Sequence, residues 1–454
     1  MLPELLTRIP GPRSLELAAK LRRYESRNVT HLAEDWPVFW ESASGTNVWD
    51  ADGNRFLDLT SAFGVSGLGH THPQVREALE EQSLRLMHAM GDVHPTAVKA
   101  ELCERLSAIT FERWGTGHGK TILGNSGFEA IEAALKTSMM HSGKPGVIAF
   151  TGGYHGLGFG ALTATALPYF REPFRAQLRE WATFLPYPAC YHCPYGERSG
   201  YRCEGRDFPN CSSSCLEQLH DEIEETIQKR EIGCILVEPV QGRAGCVVPP
   251  LDFLPMLRSI CNAHKILLIV DEIYTGLNRT GALFACEHSR VAPDVICLGK
   301  ALTSGFPLSA CVARTDVMDA WPESQGEALH TSTFLGNPMG CAMALASLEE
   351  HTQPATAALV RERGNRLKSA LRKVHNAAIG DVRGLGLMLG MELVTPKGEP
   401  ATELSTRAMK RALAEGVLLL ADSPTSNVLS FSPPFGISDK EMDFVAARLP
   451  GWLS

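Results

Sequence analysis

An apolar run that ends in a lysine constrains this chain more than any other feature of its sequence. Residues 293–302 read Pro-Asp-Val-Ile-Cys-Leu-Gly-Lys-Ala-Leu, and their uniformly apolar centre predicts a strand buried on both faces of a sheet. Lys300 follows the end of that strand, where little water reaches its ammonium. Because desolvation disfavours the charged form, we expect a lowered pKa for Lys300 and the nucleophilic amine that Schiff-base chemistry requires. The alternative is a lysine whose ammonium extends to the surface.

Four further apolar runs precede this one, and each is also followed by polar or glycine-rich residues. Runs that alternate with helical patterns predict an α/β domain with a mostly parallel sheet. In such sheets ligands bind beyond the carboxyl ends of the strands, so these residues should meet at one cleft together with Lys300. In chain order they are Asn125-Ser126-Gly127, Gly153-Tyr154-His155-Gly156, Glu238 and Asp271.

The 454 residues are too many for one small domain. We predict a large domain over residues 76–344, and a smaller α+β domain formed by residues 1–75 together with residues 345–454. The glycine-rich stretch 384–392 reads as one strand of that smaller domain. Residues 187–216 form a cysteine-rich insertion in the large domain.

Composition excludes several classes of function. The net charge is −8 without a run of like charges, which argues against nucleic-acid partners and anionic membrane surfaces. No apolar stretch is long enough to span a bilayer, and residues 1–12 lack the apolar core of a signal peptide. With 13 cysteines and no export signal, the chain is expected in the cytoplasm with reduced thiols.

The residues at the strand ends suggest a particular chemistry. Ser126-Gly127-Phe128 at a helix N-terminus favours binding of a phosphate. Asp271 at a buried strand end requires a cationic partner, such as a protonated ring nitrogen, and Tyr154 could stack on a planar ring. Taken singly, these residues could equally be a helix cap, an internal ion pair and ordinary core. Together with Lys300 they describe a site for pyridoxal 5'-phosphate, whose ring acts as an electron sink.

The sequence resembles the class III pyridoxal-phosphate-dependent aminotransferases of the fold type I superfamily. The most specific stretch is 271–281, Asp-Glu-Ile-Tyr-Thr-Gly-Leu-Asn-Arg-Thr-Gly, which precedes Gly299-Lys300 at the family's spacing. The resemblance implies a large domain with a mostly parallel seven-stranded sheet covered by helices, and a smaller α+β domain built from both termini. It also implies transfer of an amino group from an amine or amino acid to a keto acid, aldehyde or ketone.

The resemblance further implies a role for each residue at the cofactor ring. Lys300 would form the Schiff base and move the proton, while Asp271 would pair with the pyridinium nitrogen. Ile273 would support one face of the ring and Tyr154 would stack on the other, with His155 beside it.

The resemblance places the remaining site residues around the phosphate and the substrate. Ser126-Gly127-Phe128 would hold the phosphate, and Thr333 would reach the phosphate bound by a neighbouring subunit. Glu238 and Gln241 would lie near the substrate and the cofactor's 3′ oxygen. The active site would therefore lie at a homodimer interface, and no metal is expected in it.

Three positions depart from the family pattern. Ser430 stands where many relatives carry an arginine that holds the substrate α-carboxylate, and a hydroxyl cannot replace a bidentate guanidinium. Tyr274 stands where glutamine or methionine is common. Phe128 replaces a small residue of the phosphate loop and narrows the site.

The insertion is a second kind of departure, because it is rich in cysteine. A zinc knuckle, a disulfide clip and a reduced loop are all compatible with its irregular spacing. Its cysteines are Cys190, Cys193, Cys203, Cys211 and Cys215.

Other functions use the same residues. Some relatives racemise or epimerise amino acids and others are lyases, and all of them need the same electron sink. A catalytically silent cofactor-binding homologue is a further alternative. Intact Lys300, Asp271 and Thr333 argue against it.

Overall fold

The computed structural model describes residues 1–33, 35–196 and 214–454. No helix among them has the length and apolar character needed to cross a membrane. The strands are β1 (Trp40–Ser44), β2 (Asn47–Asp50), β3 (Arg55–Asp58), β4 (Gly119–Gly124), β5 (Gly146–Phe150), β6 (Ala182–Leu185), β7 (Ile232–Val237), β8 (Leu267–Asp271), β9 (Val295–Leu298), β10 (Ser309–Arg314), β11 (Ile379–Leu385), β12 (Met388–Leu393), β13 (Val417–Leu418), β14 (Leu420–Asp422) and β15 (Val428–Phe431). The α-helices span Pro12–Tyr24, Pro73–Arg85, Ala97–Ser107, Gly127–Ser142, Phe159–Ala164, Pro168–Arg171, Ser214–Lys229, Phe253–His264, Thr315–Met318, Pro338–His351, Pro354–Arg372, Thr402–Ala414 and Asp439–Trp452.

The predicted mostly parallel seven-stranded sheet is confirmed. Its strand order is β4-β10-β9-β8-β7-β5-β6. Only β10 runs antiparallel to its neighbours, β4 and β9. The strands β6 and β10 were not among the predicted apolar runs.

Both faces of this sheet are covered, which explains why its strands are uniformly apolar. Along β8, Leu268 and Val270 pack into one core cluster, whereas Leu267 and Ile269 pack into another on the opposite face. Helix Phe253–His264 contributes to the first cluster and helix Gly127–Ser142 to the second. The carboxyl ends of the strands are left as the edge where polar side chains gather.

Residues from both ends of the chain share a second sheet, of order β1-β2-β3-β13. Val417 of the short strand β13 pairs in parallel with Leu57 of β3. A third sheet, of order β11-β12-β15-β14, completes the C-terminal part. This pairing agrees with a smaller unit drawn from both termini, while the boundaries at residues 75 and 344 stay predictions.

The single strand predicted over residues 384–392 is wrong, because the stretch forms a hairpin between β11 and β12. Gly386 turns the chain with φ +54°, and a Cβ there would lie 2.5 Å from the Thr280 carbonyl carbon. The buried Arg279 guanidinium donates to the carbonyls of Leu387 at 3.0 Å and Pro433 at 2.7 Å. The family-specific stretch 271–281 therefore also joins the large sheet to the C-terminal sheet.

The cysteine-rich insertion is described only in part. Cys203 and Cys211 lie outside the described residues. No cluster of three or more potential metal ligands occurs in the described ranges. A zinc knuckle, a disulfide clip and a reduced loop therefore all remain predictions for the insertion.

Candidate active site

A cavity of about 750 Å³ opens at the carboxyl ends of the parallel strands, between the large sheet and the C-terminal sheet. Most of the site residues predicted from the sequence line it, so the expected convergence of strand ends is observed. Ser126, Gln241 and Thr333 are not in the lining. The predicted residues that line the cavity are Gly127, Phe128, Tyr154, His155, Glu238, Asp271, Ile273 and Lys300.

Lys300 follows β9 with a left-handed backbone, φ +43°, which is unusual for a residue with a side chain. Burial lowers the pKa of its ammonium, against the opposing charges of Asp271 and Glu238. Its Nζ lies 4.6 Å from the centroid of the Tyr274 ring. Among the described residues the ammonium has no hydrogen-bond or ion-pair partner. It is therefore available to a group bound in the cavity.

Asp271 at the end of β8 is 4% exposed, and both of its carboxylate oxygens are held. Oδ1 accepts a hydrogen bond from the Ile273 N–H at 3.1 Å, and Oδ2 lies 2.8 Å from Nδ1 of the buried His155. Burial lowers the pKa of His155. The hydrogen bond and charge of Asp271, together with the charge of Glu238, raise this pKa by more than burial lowers it, so the net shift is upward. His155 thus keeps the Asp271 carboxyl oriented at the cavity wall.

Glu238 follows β7 and is fixed by two backbone donors. Its Oε2 accepts from the Tyr154 N–H at 3.0 Å and its Oε1 from the Gly242 N–H at 3.2 Å. Burial and the charge of Asp271 raise the pKa of Glu238 to about 7. The Gln241 side chain points away, since its amide donates to the Thr151 carbonyl at 2.9 Å.

The helix Gly127–Ser142 presents its N-terminus to the cavity. The Gly127 and Phe128 N–H groups of its first turn have no intrahelical acceptor, which makes this end a site for an anion. The Ser126 hydroxyl donates to Glu129 Oε2 at 3.0 Å and so is engaged within the helix cap. A Cβ at Gly127 would lie 3.1 Å from the Ile273 side chain. The close approach explains a glycine at this position.

Thr333 lies on the surface, outside the cavity, and is exposed. Its neighbour Ser332 accepts a hydrogen bond from the Asn125 amide at 3.4 Å, so the segment lies beside the helix N-terminus. The structure of one chain does not bring Thr333 together with the other predicted residues.

Sequence reasoning missed an ion pair in the cavity wall. Arg243 Nη1 lies 3.1 Å from Asp422 Oδ1, and both residues line the cavity with Ser430. Arg243 follows Gln241 by two positions, so a closer reading of that loop could have found it. Asp422 ends the short strand β14 and carries no local signal. The Tyr274 hydroxyl, which was noted as a departure, lies 2.8 Å from the Ser432 hydroxyl.

Comparisons with known proteins identify relatives of this chain. The model of the family "Aminotransferase class-III" matches residues 29–451. A 4-aminobutyrate aminotransferase of Mycobacterium leprae is 34% identical over 96% of this chain and 95% of its own length. A leucine/methionine racemase of Thermococcus litoralis is 31% identical over 90% of this chain and 88% of its own. An amine transaminase from an uncultivated Pseudomonas species, solved with pyridoxal phosphate bound, superposes with TM-score 0.84 at 28% identity, covering 94% of this chain and 98% of that one.

Proposed function

On the premise that this chain belongs to the class-III aminotransferase family and uses pyridoxal 5'-phosphate, we propose that the cavity around Lys300 is its active site. One observation carries the proposal: a lysine with a lowered pKa and a buried carboxylate line the same cavity as an open helix N-terminus. The lysine matches the aldehyde of the cofactor, the carboxylate matches its ring nitrogen, and the helix N-terminus matches its phosphate.

The residues present fit the cofactor. Asp271 is a buried carboxyl group held in place by His155, so a protonated ring nitrogen would find an acidic partner. The first-turn N–H groups of Gly127 and Phe128 suit a phosphate. When bound, pyridoxal phosphate supplies an aldehyde that condenses with amines and a ring that withdraws electrons from the substrate.

The side chains supply binding and proton transfer. Lys300 holds the cofactor and then carries the proton to and from the reacting carbon, which a lowered pKa favours near neutral pH. Asp271 holds the ring nitrogen in its protonated form. Tyr154 and Ile273 both line the cavity, where they would confine the ring and exclude water.

Amino donors whose amine is distant from a carboxylate should react faster than α-amino acids. Ser430 lines the cavity, and the family resemblance implies that many relatives carry at this position the arginine that receives an α-carboxylate. With charge-assisted hydrogen bonds contributing about 1.5–3 kcal/mol each, we expect kcat/KM for L-alanine and L-glutamate to be at least ~10-fold below that for an ω-amino acid. The dependence of single-turnover rates on donor concentration, with cofactor-loaded enzyme and no keto acid, measures this, and comparable values would contradict it.

A half-reaction tests the proposed function itself. Cofactor-loaded protein is mixed with each amine or amino acid, without a keto acid, and the visible band of the cofactor is followed. Stoichiometric loss of the band with formation of pyridoxamine phosphate supports amino transfer. A persistent band with loss of optical purity of the substrate would instead support racemisation, the activity named for the Thermococcus relative.

Exposed apolar residues support a homodimer. They come from two segments that touch: the His88 and Phe334 rings lie 5.2 Å apart, and Thr331 donates to Asp92 at 2.9 Å. An exposed apolar surface of this kind is typical of a protein–protein interface. The most exposed of its side chains are Leu84, Met87, Met90, Val93, Leu329 and Phe334.

We propose that this surface brings Thr333 to the partner's phosphate site, so mixed subunits should complement one another. Lys300→Ala and Thr333→Asp homodimers should each be inactive. After unfolding and refolding together, half of the dimers are mixed, and one of their two sites is intact, which predicts about a quarter of wild-type activity. Activity of the refolded mixture is the measurement, and each variant refolded alone is the control. No recovery would show that Thr333 does not act across an interface.

The remaining proposals concern organisation and location. The domain division at residues 75 and 344 is supported by the parallel pairing of β13 with β3. A cytoplasmic location is supported by buried cysteine thiols such as Cys234, Cys261 and Cys297, which suit a reducing compartment.

A further inference from the structure

The cavity contains one charged pair that the proposed chemistry does not use, Arg243 with Asp422. Among the cationic residues that line the cavity, His155 is bound to Asp271 and Lys300 is the proposed catalytic amine. Within the described part of the chain, Arg243 is the only arginine of the lining. A substrate carboxylate that enters this cavity therefore has one arginine to meet.

The two partners of this ion pair differ in how far their side chains are exposed and can move. The Arg243 side chain is 43% exposed, whereas that of Asp422 is 9% exposed at the end of β14. The guanidinium also lies 5.9 Å from the centroid of the Tyr154 ring, over the cavity wall. An exposed arginine held by one ion pair can rotate toward a ligand at small cost. Asp422 is fixed by its strand.

The neighbouring position explains why this pair exists here. Asp422 pairs with Val428 across β14 and β15, and Leu420 pairs with Ser430. The Asp422 and Ser430 side chains therefore share one face of the sheet as diagonal neighbours. A serine at position 430 occupies little of that face and leaves space for Arg243 to approach Asp422 from the opposite wall.

We propose that Arg243 binds the carboxylate of substrates, and that Asp422 holds its guanidinium at the cavity wall when a substrate carries no carboxylate. The proposal rests on the proposed function and names the substrate class of the same site. The substrates are ω-amino acids, whose carboxylate is distant from the amine, and simple amines, which carry none. The guanidinium fork suits a carboxylate, for which it can provide two parallel N–H donors. Asp422 competes with the substrate for the same donors.

Asp422 can be left without its partner. Burial raises the pKa of its carboxyl, against the charge of Arg243 and a hydrogen bond from Ser430. When Arg243 turns to a substrate, the Ser430 hydroxyl remains as a donor, and uptake of a proton removes the buried charge. The pair can therefore open without leaving an uncompensated anion in the wall.

Calorimetric titration of the cofactor-loaded enzyme with butyrate, an unreactive carboxylate, tests the proposal. Arg243→Met should weaken binding at least ~10-fold, the loss expected for a charge-assisted hydrogen bond. Arg243→Lys should weaken it less, and Asp422→Asn should strengthen it because the competing charge is gone. Arg76→Met is the matched control, since Arg76 is also an exposed arginine, 57% accessible and paired with Glu80, but lies outside the cavity lining.

Specificity gives a second readout. The ratio of kcat/KM for 4-aminobutyrate to that for butylamine, which lacks only the carboxylate, should fall at least ~10-fold in Arg243→Met and rise in Asp422→Asn. Unchanged butyrate binding in Arg243→Met, equal weakening in Asp422→Asn, or no measurable binding by the wild type would overturn the proposal. If no donor of the half-reaction panel reacts, the proposed function fails, while the butyrate titration still decides the role of Arg243.

Discussion

Lys300→Ala should reduce kcat to less than about a thousandth of the wild-type value, because both covalent capture of the cofactor and proton transfer at the reacting carbon are lost. The protein should nevertheless remain folded. The ammonium has no hydrogen-bond or ion-pair partner among the described residues, and its burial is unfavourable, as its lowered pKa shows. Single-turnover rates with the best donor measure the loss, and thermal unfolding of the cofactor-free proteins should show an unchanged or higher Tm.

Two further variants isolate the role of the amine. Lys300→Arg keeps a positive charge, but a guanidinium does not give up its proton at accessible pH, so activity should not return. Lys120→Ala, which removes an exposed lysine on β4, is the control and should retain full activity. Cofactor retained after gel filtration gives a readout that is independent of turnover. Substantial residual turnover in Lys300→Ala would remove Lys300 from the proposed mechanism.

Uniform apolar runs were a sufficient signal for β5, β7, β8 and β9, but not for β10, which is also buried. Strands such as β7 and β8 are buried on both faces, so they form continuous apolar runs that can be recognised in the sequence. The edge strand β6 was missed because its residues Ala182 to Phe184 are only half-buried. The hairpin at Gly386 was missed for a different reason. Its turn is determined by close approach to Thr280, a residue more than a hundred positions away, and no local pattern records that contact.

The same distinction holds in the site. Lys300, Asp271 and Glu238 each stand immediately after an apolar run, so strand order alone brings them to one edge. Asp422 comes from the C-terminal sheet, and its position opposite Arg243 depends on how two sheets pack. Thr333 requires still more, since its proposed partner is a second chain. Sequence therefore predicts the part of the site that one sheet builds.

Asp271→Asn should lower kcat about 100- to 1,000-fold, the range found when one electrostatic group that stabilises developing charge is removed. The amide keeps the shape of the side chain and can still accept the Ile273 N–H, but it has no charge to hold a protonated ring nitrogen. Asp294→Asn is the matched control. Asp294 is also a buried carboxylate, 2% exposed, but it precedes β9 and pairs with Arg258 and Arg314 at 2.7 and 2.8 Å. Its loss should reduce stability without lowering kcat of the folded enzyme.

His155 provides a readout of Asp271 that does not depend on turnover. In the wild type its pKa is raised above the usual 6.5 mainly by Asp271, in opposition to burial. In Asp271→Asn burial should dominate, so NMR titration of the imidazole should show a lower pKa. The stability that His155 gains from a raised pKa is complete below pH 6.5 and is lost as pH rises through the folded-state value. The difference in unfolding free energy between wild type and Asp271→Asn should therefore shrink toward alkaline pH. An unchanged His155 titration would mean that Asp271 is not its charge partner, and a wild-type kcat would mean that the buried carboxylate has no role in the reaction.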